Sequence, residues 1–440
     1  PVAHSFPTRR SSDLMPEPFR RGMDHSTESE HKIRATFMEK RMPMKRRKIT
    51  SVLIVGLVMY GILGCSSRMA GNFHMQQGDY PSAIQKYEEA ASNHPDDWRV
   101  REQLGIAYYK SGKIQEAVSA LKTALQKNPD APDAGYYLGL ARLKAGRRNE
   151  AIQNWEEYEN PEAPLVQDAV KKQLTLLRIQ ESLQFAEEAL AQEAALQTQT
   201  PRPNSVAVFY FKDLSPENQF EYLQKALASM IITDLSRVEA LNVIERLKVQ
   251  YLLEEMELGS TGIVDQSTAP RTGRLLGAEH LVVGTLDSGI VNQTGVASTQ
   301  RKDVIGAFDL REEQEKFFVL QKEIVNKVLQ VLNARPKPSE KRRIDRHHTK
   351  NLQAATYYGQ GLDARDRGLW KEARIFFRKA LKEDPDFFLA FWQSETSPDE
   401  SAPSLDQLRR MSPSEIADSA ENAIQAARSR QRSEIGRAHV

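Results

Sequence analysis

The chain has 440 residues, 61 basic against 59 acidic for a formal charge of +2, and is 40% hydrophobic. That length accommodates two or three domains and the apolar fraction suffices for packed cores, while the near balance of charge leaves no electrostatic case for a nucleic-acid partner. A single cysteine excludes an internal disulfide and a cysteine-based metal cage.

Both ends read as foreign to the protein. HSFPTRRSSDL, His4 to Leu14, is similar to a translated sequencing adapter, and IGRAHV, Ile435 to Val440, resembles its partner. Residues 1–43 are therefore expected to be an upstream or artefactual segment, with the start at Met42 or Met44 and the gene continuing past Arg432. Lys45, Arg46, Arg47 and Lys48 precede an apolar run from Ile49 to Gly64. The run is shorter than the roughly 20 residues of a spanning helix and has the order of a secretory signal. Residues 44–64 are thus expected to be a signal peptide. Ile62-Leu63-Gly64-Cys65 resembles the lipobox of bacterial lipoproteins. That resemblance implies cleavage between Gly64 and Cys65 and lipidation of the Cys65 thiol. Ser66 and Ser67 follow in place of the aspartate associated with inner-membrane retention. The implied location is the periplasmic face of the outer membrane of a Gram-negative bacterium. An uncleaved anchor with an incidental cysteine is the alternative.

A fixed period governs residues 65–162. Gly71, Gly105 and Gly139 recur thirty-four residues apart, as do Gly78, Gly112 and Gly146, and Ala83, Ala117 and Ala151. Glycine and alanine at such positions let paired helices approach closely, while large apolar residues fill the layer between pairs. The period and the residues Leu104-Gly105, Tyr108, Leu138-Gly139 and Trp155 resemble the tetratricopeptide repeat. His74 stands where an aromatic is usual in the first unit. A further unit is expected over 354–395, where Gly361, Gly368, Ala373, Phe377, Ala380 and Pro385 keep the register, before 396–440 lapses into a low-order tail. By resemblance, the first helix of each pair lines a concave groove. The implied peptide-binding residues are Asn72, Met75, Gln76, Arg99, Glu102, Tyr109, Lys110, Asp133, Tyr136, Leu143 and Lys144. Solvated helix faces, or packing of the array on its own middle domain, are the competing readings.

Residues 163–199 read as a connecting helix and linker, with Val166, Val170, Leu174, Leu177, Leu183, Leu190 and Leu196 at helical or near-heptad spacing. Self-association as a coiled coil is the second reading of this segment. In 200–335, SVAVFYF (Ser205 to Phe211) predicts a strand, Glu221 to Leu235 a helix and LNVIER a short strand. Lys248 to Met256 and Ala269 to Leu276 predict helices, HLVVGTLDSG a third strand, DVIGAFDL a fourth, and Glu313 to Leu332 a final amphipathic helix. The alternation indicates an α/β domain.

VAVFYFKDLSPE, LNVIERLKVQYLLEEMELGSTG and TGRLLGAEHLVVGTLDSG are similar to the curli-secretion (CsgG) family and its TolB N-terminal-like relatives. The fold class is accordingly multidomain α and α/β, with tetratricopeptide repeats flanking a three-layer-type α/β domain. The resemblance implies a periplasmic fold whose pore-forming members insert two amphipathic hairpins into the outer membrane. The stretch between Asp287 and Glu312 is too short for two hairpins of membrane strands of about 9–11 residues each.

Catalysis finds no residue set to carry it. There is no GxxxxGK[ST] loop, and Gly259-Ser260-Thr261-Gly262 reads as a turn. Glu254, Glu255 and Glu257 read as a solvated acidic helix face, and His347-His348 as part of a solvated charged linker over 336–353 without cysteine ligands nearby. No cofactor and no metal are expected. The expected function is a noncatalytic, lipid-anchored periplasmic scaffold binding envelope or secreted proteins, with a curli-type secretion-channel subunit as the alternative. A ligand-sensing or enzymatic α/β domain is a third reading, because glycine turns in such domains can bind small molecules.

Overall fold

The computed structural model describes residues 67–196, 199–256, 268–287, 290–310 and 316–438. The signal segment, Gly64, Cys65, Glu257 and the turn read at Gly259–Gly262 lie outside the described residues.

Three antiparallel helix pairs open the fold: α1 (67–76) with α2 (Tyr80–Asn93), α3 (Trp98–Lys110) with α4 (Ile114–Lys127), and α5 (Ala134–Lys144) with α6 (Arg148–Glu156). The period has two physical causes. Gly112, at φ +79°, and its equivalents Gly78 and Gly146 occupy the left-handed region in the turn within each pair, where glycine escapes the Cβ clash. Sixteen residues after each helix-crossing glycine stands the side chain that presses on it: Tyr87 on Gly71, Leu121 on Gly105 and Trp155 on Gly139. A Cβ on Gly139 would lie 2.0 Å from the Trp155 Nε1, closer than any real contact.

α7 (Pro164–Ala191) follows, then the short α8 (Glu193–Leu196). The sheet is built from β1 (Arg202–Val208), β2 (Lys212–Asp213), β3 (Asn242–Val243), β4 (Ala278–Asp287), β5 (Ile290–Ser298) and β6 (Asp303–Phe308). Its order is β3-β1-β4-β5-β6, with β2 also on β4; β1 runs parallel to β3 and β4, while β5 and β6 are antiparallel. Between strands come α9 (Glu221–Leu235), α10 (Arg246–Glu255) and α11 (Ala269–Leu276), which ends on Gly277 at φ +65°. Beyond β6 lies α12 (Phe317–Val331).

Alternation along β1 sorts the two faces. Val206 and Val208 pack with α9 and α12, while Ala207 and Phe209 pack with α7, α10 and α11. The domain is therefore a three-layer α/β/α sandwich, and α7 is one of its layers as well as a cover for the last repeat, where Val166, Val170 and Leu177 are buried.

The strand expected over Ser205–Phe211 instead begins at Arg202 and does not reach Phe211. β1 stops at Val208 and β2 resumes the pairing with β4, so that the three residues between Val208 and Lys212 oppose the two between Val282 and Thr285. β5 was not expected, because Asn292, Gln293, Thr294 and Gly295 carry low strand propensity; pairing with β4 along its length overrides it. β5 and β6 use the segment between Asp287 and Glu312 for the central sheet.

The later segments are more ordered than the sequence suggests. The charged linker contains α13 (Pro338–Ile344), with Ile344 fully buried. α14 (Leu352–Asp366) and α15 (Trp370–Glu383) form the late repeat, with Gly361 against Phe377 at the same sixteen-residue spacing and Gly368 at φ +73°. This pair does not stand apart as a domain. Tyr358, Leu362 and Phe377 share one core with α9 and α12, and a Cβ on Gly359 would meet the Tyr222 carbonyl oxygen at 1.9 Å. α16 (Phe388–Thr396) begins the next unit. The expected low-order tail instead forms α17 (Leu405–Arg410) and α18 (Pro413–Ala438), and α18 packs along α5 and α7. Its apolar stripe, Ile416, Ala417, Ala420 and Ile424, is made half of alanine and was inconspicuous for that reason.

Candidate peptide-binding groove

The groove residues expected from the repeats divide into two sets. The first set surrounds an open cleft of ≈ 480 Å³ lined by Asn72, Met75, Gln76, Arg99 and Glu102 together with Arg68, Tyr87, Trp98, Gln103 and Pro132. Asn72 accepts a 2.7 Å hydrogen bond from the Tyr87 hydroxyl, which fixes the amide at the cleft wall. The Arg99 guanidinium lies 4.5 Å from the Trp98 ring centroid, and Arg68 pairs with Asp97 at 3.5 Å. The cleft thus presents two guanidinium groups beside an aromatic face and Met75, a surface that suits carboxylate and apolar groups together.

Glu102 has a different duty. Its Oε1 accepts the backbone N–H groups of Asp133 and Ala134, each at 2.9 Å, and so caps α5 from the neighbouring repeat, where Asp133 makes no side-chain cap of its own. Burial raises its pKa, with the two N–H groups opposing. At 4% exposure it is a structural clamp between repeats.

The second set is covered. Tyr109, Tyr136 and Leu143 are buried, and α18 lies over Lys110, Asp133 and Lys144. The Lys110 ammonium pairs with Glu421, the Tyr109 hydroxyl donates to the same carboxylate at 3.3 Å, and Lys144 meets Asp418 at 2.7 Å. Arg428 pairs with Asp133, its guanidinium 5.2 Å from the Tyr136 ring centroid, and Gln425 donates to the Tyr137 hydroxyl at 3.0 Å. Burial works against the charge on Lys110, yet Glu421 more than offsets this and raises its pKa. Burial, followed by the charges of Glu421 and Asp418, pushes the Tyr109 phenol up. The aromatic and cationic anchors expected to face a partner therefore face the chain's own helix. All the α18 residues in these contacts precede Ile435.

Sequence reasoning missed Trp98, Arg68 and all of α18. Trp98 opens α3 after the N-cap Asp97, at a position that the groove pattern did not include. The signal for α18 was present in the helical spacing of Ile416, Ala420 and Ile424 and in a charge order running from acidic to basic.

The residues set aside as chemically idle are placed differently from expectation. His348 is not in a solvated linker: its Nε2 lies 3.1 Å from Asp234 Oδ1 and its side chain is nearly buried. Asp234 also pairs with Lys322 at 2.6 Å and accepts from Gln321 at 2.9 Å. Glu254 and Glu255 do not form a solvated face either. Burial raises the Glu254 pKa, and Glu255 pairs with Arg409. Among the described residues, no group of three His, Cys, Asp or Glu side chains could hold a metal ion. No helix among them is long and apolar enough to cross a membrane.

With the cleft, the covered groove and the sandwich in place, the likenesses to known proteins can be located on the fold. Residues 70–136 match the tetratricopeptide repeat family. Residues 188–297 match the curli production assembly/transport component CsgG, a stretch that runs from the end of α7 through most of β5. No curated protein matches the chain. Similar solved structures include a tetratricopeptide repeat protein from Parabacteroides merdae, 14% identical over 76% of this chain and 98% of that one with a TM-score of 0.25. Yeast Tom70 is 13% identical over 81% of this chain and 68% of its own, with a TM-score of 0.25. The TPR2AB-domain:pHSP90 complex of yeast Sti1 is 12% identical over 81% of this chain and 99% of that one, with a TM-score of 0.26. The chain thus combines tetratricopeptide-like helical repeats with a CsgG-like mixed-sheet domain.

Proposed function

We propose that this chain is a noncatalytic scaffold, anchored by lipid on Cys65 at the periplasmic face of the outer membrane, that docks envelope or secreted proteins during envelope assembly or secretion. The observation that carries this reading is the open cleft of Asn72, Met75, Trp98 and Arg99 in an array continuous with a CsgG-like domain. Repeat arrays present such surfaces to extended segments of other proteins, and the tetratricopeptide match supports a protein partner.

The partner-binding anchors are assigned to the open half of the groove. Tyr109 and Tyr136, with the second set as a whole, are reassigned to the internal contact with α18. The test is a variant carrying Asn72→Ala and Arg99→Ala, compared with wild type by affinity capture from the membrane fraction. A hot-spot pair of this kind is expected to cost about 2 kcal/mol or more of binding, so the envelope proteins recovered with wild type should be lost while helicity is kept. Unchanged recovery would remove the cleft from the function.

A curli-type channel subunit is the second reading, favoured by the match over residues 188–297. Ion conductance after insertion of the purified protein into liposomes would support the channel, and its absence in a lipidated, folded sample would support the scaffold.

A further inference from the structure

α18 and α5 are matched in charge from end to end. Asp418 and Glu421, near the start of α18, meet Lys144 and Lys110, which close α5 and α3. Arg428 meets Asp133 at the start of α5. Ten residues separate Asp418 from Arg428 and eleven separate Asp133 from Lys144. At 1.5 Å per residue both spans are about 15–17 Å, so a helix with this charge order lies antiparallel to α5 with both ends paired. The acidic-to-basic order also complements the dipole of α18 itself. Alanines make up half of the buried stripe Ile416, Ala417, Ala420 and Ile424, so the charges of Asp418, Glu421 and Arg428 supply the distinguishing features of the helix.

The occupied and open halves of the groove meet. Glu102 and Pro132 line the cleft, and Glu102 holds the backbone N–H of Asp133, the partner of Arg428. The wall of the cleft at Glu102 is therefore one residue contact away from the Arg428 end of α18. At its other end, α18 is joined to α17 only through Met411 and Ser412.

We propose that the covered half of the groove is a binding site for an amphipathic helix with carboxylates in its first turns and an arginine about three turns later, that α18 holds this site in cis, and that a partner helix of the same charge order displaces it. This rests on the reading of the repeats as a docking surface and adds the chemistry of the ligand.

The test uses the full chain and, as probe, a fluorescent synthetic peptide of residues 411–432. Ala420→Asp with Ile424→Asp unseats α18 by placing carboxylates in its apolar stripe. The unseated variant should bind the peptide at least about tenfold more tightly than wild type, a gap of about 1.4 kcal/mol. Lys110→Glu with Lys144→Glu in that background should abolish binding, and a peptide carrying Asp418→Lys and Glu421→Lys should restore it. Equal binding to wild type and to the unseated variant, or no binding to an unseated variant that keeps its helical signal, overturns the proposal. Should the unseated variant unfold, hydrogen exchange on wild type decides: α18 amides exchanging about tenfold faster than those of α5 support a displaceable helix, and equal rates overturn it. The Asn72 and Arg99 capture experiment is read independently, so failure of the peptide here leaves the open cleft to stand or fall separately.

Discussion

Arg246 and Asp366 grip each other across 120 residues of sequence, with Nη1 to Oδ2 at 2.7 Å and Nη2 to Oδ1 at 2.5 Å. The bidentate pair joins the start of α10 to the end of α14, and the same guanidinium donates to the Tyr210 hydroxyl at 2.8 Å. Lys225 adds a second cation, 3.1 Å from Asp366 and 2.9 Å from Asp363. Burial alone would raise the Asp366 pKa, but Arg246 and then Lys225 hold the carboxyl well below the usual range. Asp366→Asn leaves Arg246 buried without its counter-charge and Lys225 with Asp363 as its remaining carboxylate, and breaking a buried pair from one side costs about 3–5 kcal/mol. Denaturant unfolding should show that loss, whereas Arg246→Met with Asp366→Leu should recover much of it. A single variant as stable as wild type would contradict the assignment of this cluster as the joint between repeat and sandwich.

A second joint carries a buried histidine. Burial lowers the His348 pKa, Asp234 opposes the shift, and Lys322 and Arg237 reinforce it. Gln321 completes the surroundings of Asp234. A histidine held below its unfolded pKa of about 6.5 keeps the folded state proton-poor, so its stability contribution is present above that pH and is lost as pH falls toward the folded value. The pKa of Asp234 is lowered too, despite burial that would raise it, because His348 and Lys322 favour its carboxylate. Its contribution is present above about pH 4 and lost on further acidification. Unfolding midpoints should fall between pH 7 and pH 5 in wild type, and His348→Gln should flatten that part of the profile. An identical slope in the variant would remove His348 from the linkage.

Gly139→Ala sets helix propensity against packing. Alanine in a helix interior is favoured over glycine by about 1 kcal/mol, but the new Cβ meets Trp155, whose Nε1 donates to the Tyr136 carbonyl at 3.2 Å. Overpacking costs about 1–3 kcal/mol, and the indole is buried and tethered, so a net destabilisation is expected in thermal unfolding. A rise in melting temperature would show that Trp155 gives way freely.

Ala117, fully buried at the crossing of α4, should respond in the same direction. Ala117→Trp should lose about 1–3 kcal/mol or more. The loss should register in the same transition as the sandwich, because α7 belongs to both cores. Two separated transitions in a calorimetric scan would show that the joint through α7 is weak.

Cys65→Ser tests the anchor. Multiple acyl chains hold a protein at a membrane where a single chain holds it only marginally, so the variant should lose metabolic lipid label and remain uncut at Gly64. Label persisting on the variant would rule out this attachment point.

Much of the architecture could be read from the sequence because its causes are local or periodic. A glycine facing a bulky side chain sixteen residues on, and a second glycine in the turn, must recur whenever equivalent helices stack, so Gly71, Gly105, Gly139 and even the distant Gly361 announce the same unit. Alternation in Val206–Phe209 and the helical stripe of Glu221–Leu235 likewise depend only on near neighbours. Five of the groove residues, Asn72, Met75, Gln76, Arg99 and Glu102, line the open cleft for that reason.

What tertiary structure alone decided involves partners far apart in the chain. Whether Tyr109 faces a ligand or Glu421 depends on a residue 312 positions away, and a helix whose stripe is two isoleucines and two alanines has too weak a periodic signal to declare its docking site. His348 reads as a solvated linker residue until Asp234, 114 positions earlier, supplies the buried carboxylate beside it. β5 likewise exists because β4 and β6 satisfy its backbone from both sides, a cooperative gain that no local propensity in Gln293, Thr294 and Gly295 could express.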